Sequence, residues 1–303
     1  MRDLKNKLTI SGKNTRNIQN RRAKSFGYQV LGFGSGGVAF EGMCATGGTT
    51  STDGDYKVHV FTSPGTFEVV SASNDPAENV VQYLIVGGGG GMGYGYGGAG
   101  GAGGYRAYGC GPSPLQAPAA IPTPVTTYPI SIGGGGAGSP VVPGPSGFPC
   151  NSTPGSNTTA LGLTAAGGGG GASGSTGNNG KPGGSGGGNS SGNNPPAYPR
   201  SGGTGNTPPV TPVQGHDGEG GSVPEGAQGG GAGAAGSYGP SGGRCGVTGV
   251  SNSIDGTSRK YACGGRSGSG PTAISPRANS GFGGTCQGAA GMSGVVVIKY
   301  RIA

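Results

Sequence analysis

Val80–Val86 reads VVQYLIV, and the chain runs from it directly into Gly87–Gly91, GGGGG, then through MGYGYGGAGGAGGYRAYG to Gly109. The first part is rich in β-branched and aromatic residues, which predicts a strand. Its nearly unbroken apolar character predicts that both faces are buried. The second part cannot be a helix, because glycine costs about 1 kcal/mol per helical position relative to alanine. A strand that empties into glycine is therefore the feature to be explained.

Outward from this junction, Asp55–Val60 (DYKVHV) and Phe67–Ala72 (FEVVSA) read as two further strands upstream. Ser63–Thr66, SPGT, places proline and then glycine at the centre of four residues, which predicts a type II turn and a hairpin between them. Downstream, Tyr128–Ile132 (YPISI) is a short alternating strand before another glycine run. Ser293–Ile302, SGVVVIKYRI, alternates again at the end of the sequence. The expected fold is mainly β with almost no α-helix. It is a small β-sandwich with strands near 55–86, 128–132 and 293–302, and glycine-rich inserts at 87–127 and 133–292.

Composition narrows the field. Of 303 residues, 78 are glycine and 24 proline, while charged residues are only 10%. Repeated amphipathic helices are missing, which excludes helical bundles, doubly wound sheets and TIM barrels. No apolar run approaches the roughly 20 residues of a membrane span. For the inserts there are three physical options. Disorder is the general expectation for this composition. A collagen triple helix needs strict Gly-X-Y, which GGGGGASGSTGNNG breaks. The third option is packed extended helices of the polyglycine II kind, with three residues per turn and backbone groups pointing outward to neighbouring helices. The flanking strands would anchor such a bundle, so this option is the one expected.

Charge draws the first domain boundary. The formal net charge is +8, and residues 1–24 carry eight basic side chains against Asp3 alone. Arg2, Lys5, Lys7, Lys13, Arg16, Arg21, Arg22 and Lys24 thus form a basic arm, residues 1–26, and the remainder is nearly neutral. Such an arm suits docking onto an acidic partner. It has no aromatic residue for base stacking, which disfavours nucleic acid. It lacks the apolar core of a secretory signal, so synthesis and retention in a cytoplasm are expected. Residues 27–54 read as a glycine-containing joining segment, and 55–303 as the glycine-rich β domain.

Chemistry-bearing motifs are sparse. Gly88, Gly90 and Gly93 satisfy G-x-G-x-x-G, but no helix can follow, so no dinucleotide is expected. His216, Asp217 and Glu219 in QGHDGEGG lie close in sequence and read as a polar loop. The six cysteines form no Cys-x-x-Cys pair and the only other histidine is His59, so no metal site is expected. No catalytic residue and no cofactor are assigned. Tyr94, Tyr96, Tyr105, Tyr108, Tyr198, Tyr238 and Tyr261 stand in glycine-rich surroundings, where tyrosine can supply rigid contact area. The first six are the candidate receptor contacts.

The ordered set FTSPGTFEVV, VVQYLIVGGGGGMG, GGAGGYR, YPISIGGGGAG and SGVVVIKYRI resembles the glycine-rich domain of phage tail fibres and related virion proteins. FGYQVLGFGSGG near the amino terminus is similar to virion proteins of marine cyanobacterial phages. The resemblance covers about residues 55–303. It implies a non-enzymatic virion protein, a tail fibre or appendage component that binds a host-surface glycan or protein. It implies polyglycine II bundles, and attachment to other virion proteins through Arg2, Lys5, Lys7, Arg16, Arg21, Arg22 and Lys24. A homo-oligomer is expected, with a trimer as one form. The alternatives are a capsid or tail decoration without a receptor, a polysaccharide hydrolase and an ice-binding protein.

Overall fold

The computed structural model describes residues 39–95, 97–140, 152–173, 179–190, 200–220, 226–237, 249–267, 277–285 and 288–303. The basic arm and its seven candidate anchoring residues lie outside the described residues. The strands are β1 Cys44–Thr46, β2 Thr49–Asp53, β3 Tyr56–Phe61, β4 Gly65–Ser71, β5 Val80–Val86, β6 Tyr105–Tyr108, β7 Ile121–Pro122, β8 Thr127–Ile130, β9 Thr158–Ala160, β10 Leu163–Ala165, β11 Val250–Asn252, β12 Arg259–Tyr261 and β13 Val295–Arg301. Two single-turn 3₁₀ segments, Pro76–Glu78 and Ser113–Leu115, are the helical elements among the described residues.

The principal sheet runs β2-β3-β13-β5-β6, with β7 also paired to β5. A smaller sheet, β1-β4-β8, covers one face of it. Side-chain alternation explains both layers. Val81, Tyr83 and Ile85 of β5 point with Val296, Ile298 and Tyr300 of β13 toward Phe67, Val69 and Ile130 of the smaller sheet. Leu84, Val86, Val295 and Val297 point the other way, into a second core with Tyr105, Ala107, Val250, Ile254 and Tyr261. The apolar run in β5 is thus buried on both faces, as its sequence predicts. The last strand, β13, is central and antiparallel to both β3 and β5.

Two sequence expectations are corrected. The hairpin across Ser63–Thr66 does not form, because β3 pairs with β2 and β13 while β4 pairs with β1 and β8. Both edges of β3 are filled, so the chain crosses to the other sheet at Pro64, which has no N–H to offer a ladder. Gly65 belongs to β4 and has no positive φ, unlike the central glycine of a type II turn. The joining segment also proves to be sheet: β1 and β2 fall within residues 44–53, and β2 folds onto β3 through Gly54-Asp55, with Gly54 at φ +57°. That two-residue connection suits antiparallel strands.

Beyond the strands, the glycine segments hydrogen-bond to one another through their backbones. Gly87, Gly90 and Gly93 donate to Gly104, Gly101 and Gly98. This continues the β5–β6 register, but every third residue is used instead of every second. Gly89 and Met92 donate to Met292 and Ala289, which continues β5–β13 in the same way. Gly88 and Gly91 donate to Ser156 and Thr153. The carbonyls of the same segment accept from Gly168 and Gly171, from Gly136 and Ser139, and from Gly284. Residues 87–93 therefore have six neighbouring segments, three reached through N–H and three through C=O.

Residues 97–104 repeat the pattern. They donate to 166–172, 227–230 and 281–284, again at every third residue, and accept from 87–93, 185–188 and Gly265. Close approach leaves no room for side chains. A Cβ on Gly87, Gly90 or Gly93 would overlap the carbonyl of Ala166, Gly169 or Ala172, and one on Gly88 or Gly91 that of Gly134 or Ala137. A strand pair needs only two backbone neighbours, and its faces are covered by side chains. With glycine those faces open to further backbones, and the ladder widens into a lattice.

Candidate functional site

The lattice has a direction. At its inner end the segments continue into β5, β6, β10 and β13, and therefore into the sandwich. At the outer end the chain turns back: Gly93 N–H closes onto Gly98 O, and Tyr94 N–H donates to Ser173 Oγ at 3.4 Å. Gly95 lies in this turn with φ +64°. Around it, Gly98 donates to Ala172, Ala172 to Gly188, Gly188 to Ala99 and Ala99 to Ala227. Asn189 donates to Glu219, and Glu219 and Gln228 exchange a backbone bond and a bond to Glu219 Oε2 at 2.9 Å. The reversal at Gly93–Gly98, with Tyr94 and Gly95 half-buried at its tip, is the candidate contact surface.

The predicted tyrosines divide. Tyr94 is half-buried in this reversal. Tyr96, Tyr198 and Tyr238 lie outside the described residues. Tyr105 is only 1% exposed, in the second core, with its hydroxyl accepting from Asn252 Nδ2 at 2.7 Å. Burial pushes its phenol well above the usual range, opposed by the Asn252 hydrogen bond. Tyr105 is therefore a core residue, because β6 pairs with β5 and turns it inward. Tyr108 is half-buried against Tyr83, with ring centroids 6.2 Å apart. Tyr261 is buried beneath the Arg277 guanidinium, 4.7 Å from the ring centroid, and burial raises its phenol as well.

His216, Asp217 and Glu219 are lattice members. His216 donates its N–H to Gly231 and accepts from Gly186, and Asp217 Oδ1 takes the Gly205 N–H at 2.7 Å. Among the described residues no three His, Cys, Asp or Glu side chains form a metal-holding group. Nor is any described helix long and apolar enough to cross a membrane. Cys44 and Cys110 are free thiols.

Sequence reasoning missed two buried polar residues that hold the platform. His59 is fully buried between the sheets; its Nδ1 donates to Gly47 O at 2.7 Å and its Nε2 meets Tyr300 Oη at 3.2 Å. Burial holds its imidazole below the usual range; the Gly47 bond opposes this and the Lys57 charge adds to it. Gln214, 1% exposed, sits where lattice meets sandwich. Its Oε1 accepts from Ala166 N, its Nε2 donates to Pro208 O, and its carbonyl accepts from Tyr105 N. No local pattern marks it in the sequence, because its partners are 6, 48 and 109 residues away.

The profile of a glycine-rich domain matches residues 61–301, most of the chain. The chain belongs to the glycine-rich domain family. No curated protein matches the sequence. In this glycine-rich domain the matched span runs from the end of β3 through β13, so it takes in the lattice and the strand that closes it.

Proposed function

We propose that this glycine-rich domain protein is a structural virion protein of a tailed phage, a fibre or appendage component that presents its outer turns to the host surface. The observation that carries the reading is the chain reversal at Gly93–Gly98, at one end of a lattice whose other end is rooted in a sandwich. The bond period of three and the six-neighbour packing support reading the segments as polyglycine II-type helices. Such a lattice ties turns to a rigid base through backbone bonds, leaving turn side chains free to serve a partner. Binding alone is the activity, and the basic arm is the attachment to the particle.

Gold-labelled antibody to residues 41–303 on intact particles tests the location. Label at fibre tips or tail, together with blocked adsorption by the purified protein, is the expected result. Label on no particle, with an accessible epitope, refutes it. One observation favours a second reading, a decoration protein without a receptor: Tyr105 is taken into the core, which leaves one contact tyrosine fewer. Label over the head would select that reading.

A further inference from the structure

Tyr83, Arg106 and Tyr108 meet on one face of the β5–β6 pair. Tyr105 and Ala107 enter the second core, so alternation along β6 turns Arg106 and Tyr108 to the first-core face. Tyr108 packs there beside Tyr83, its direct partner across the strands. The two rings stack at an interplanar angle of 28°. Arg106 stands opposite Ile85, which makes it the diagonal neighbour of Tyr83, within reach of a long side chain. Burial raises the Tyr83 phenol and the Arg106 charge opposes that rise, which sets the guanidinium near the hydroxyl.

All three polar ends lack a partner. Tyr83 is 1% exposed, yet its hydroxyl makes no hydrogen bond among the described residues. A buried tyrosine hydroxyl usually finds one. Tyr105 and Tyr300 do, from Asn252 Nδ2 and Ala45 N. The Tyr108 hydroxyl is unbonded as well. Lys299, Arg301 and Arg259 each pair with a carboxylate, whereas Arg106 has none within 4 Å among the described residues. Nor does Arg106 lie over an aromatic ring, as Arg277 and Lys299 do. Neither its guanidinium nor the Tyr83 hydroxyl is among the partnerless atoms sealed from water, so both open to the outside. The rim is apolar: Ala117, whose N–H donates to Ala107 O, and Ile121, paired with Val81, pack against the same core.

We propose that Tyr83, Arg106 and Tyr108 form a binding site for the carboxylate of an acidic sugar. The guanidinium is a planar fork that meets a carboxylate through two parallel hydrogen bonds. One unpaired cation balances one negative charge, which suits a carboxylate better than a phosphate dianion. The two phenol hydroxyls can each donate to one sugar hydroxyl and accept from another. The half-buried Tyr108 ring and the Ala117–Ile121 rim give the sugar ring an apolar surface. A neutral sugar would leave the guanidinium unpaired, and a bare carboxylate would leave the phenols unpaired. The site lies on the sandwich, away from the Gly93–Gly98 reversal, and needs no particle, so failure of the virion assignment leaves it standing.

Titration of the full chain with glucuronate, glucose, acetate and inorganic phosphate at constant ionic strength is the test, read by NMR through the backbone amides of β5 and β6. Glucuronate should give saturable shifts, glucose none, and acetate and phosphate binding at least about tenfold weaker. Arg106→Gln should raise the dissociation constant for glucuronate at least about tenfold, and Tyr108→Phe, which keeps the ring, about threefold to tenfold. Both variants should melt with the wild type, because neither polar end has a partner to lose. Absence of a saturable shift with glucuronate, equal binding of glucose, acetate or phosphate, or unchanged affinity in either variant overturns the proposal.

Discussion

Adding a single methyl group separates glycines inside the lattice from an exposed one such as Gly134. At Gly90 the new Cβ overlaps the Gly169 carbonyl oxygen and lies 2.5 Å from its carbon. An ordinary carbon–carbon contact is about 3.5–4.0 Å, so one segment must retreat by about 1 Å. Retreat is opposed on every side. Gly90 N–H is bonded to Gly101 O at 2.9 Å, Gly90 O to Gly284 N–H at 2.8 Å, and Gly169 N–H to Ser185 O at 2.8 Å. Leaving two buried backbone groups without partners costs about 2–6 kcal/mol. Restricting the unfolded chain by Gly→Ala returns at most about 1 kcal/mol. Gly90→Ala should therefore destabilise by about 2–5 kcal/mol, a large part of the roughly 5–15 kcal/mol that holds a domain. That corresponds to a fall in melting temperature of roughly 5–15 °C, read by calorimetry. Gly134→Ala, with nothing within 4 Å of its Cβ, should leave the monomer's melting within about 2 °C of wild type. If Gly90→Ala melts with the wild type, or Gly134→Ala falls as far as Gly90→Ala, the close-packed backbone account is wrong.

Three further outcomes follow from the same structure. His59 is held neutral by burial, with its usual value of 6.5 restored on unfolding, so stability should be full above pH 6.5 and fall as pH drops toward the lowered folded value. Urea titrations between pH 7.5 and 5 should show that loss in the wild type and a flatter profile in His59→Asn. Removing residues 295–303 deletes the central strand and strips partners from β3 and β5; the truncated chain should lose its amide dispersion by NMR, and a retained native spectrum would contradict the central role of β13. Deleting residues 1–26 should leave the melting of the body unchanged while abolishing incorporation into particles, and normal incorporation would remove the arm from the attachment.

Much of this architecture is local and can be read from residues. Val80–Val86 is apolar at nearly every position, so its burial on both faces follows from composition and period alone. The same holds for Val295–Val297, and the excess of glycine excludes helical folds before any contact is known. Which strands pair is a different matter. SPGT has the composition of a hairpin turn, yet β3 and β4 lie in opposite sheets because β2 and β13 occupy both edges of β3, and that competition exists only in three dimensions. Residues 44–53 mix threonine with glycine and give little strand signal; they become sheet because β3 and β4 offer them edges. Tyr94 and Tyr105 stand in the same glycine-rich setting and read alike as contacts, but β6 pairing turns Tyr105 into the core, and the reversal at Gly93–Gly98 leaves Tyr94 at the outer end. The sequence alone determined that backbone would have to pack against backbone, since glycine brings no side chain to a core. Only the tertiary structure decided which carbonyl lies where each Cβ would be, because most such contacts join segments distant in the chain.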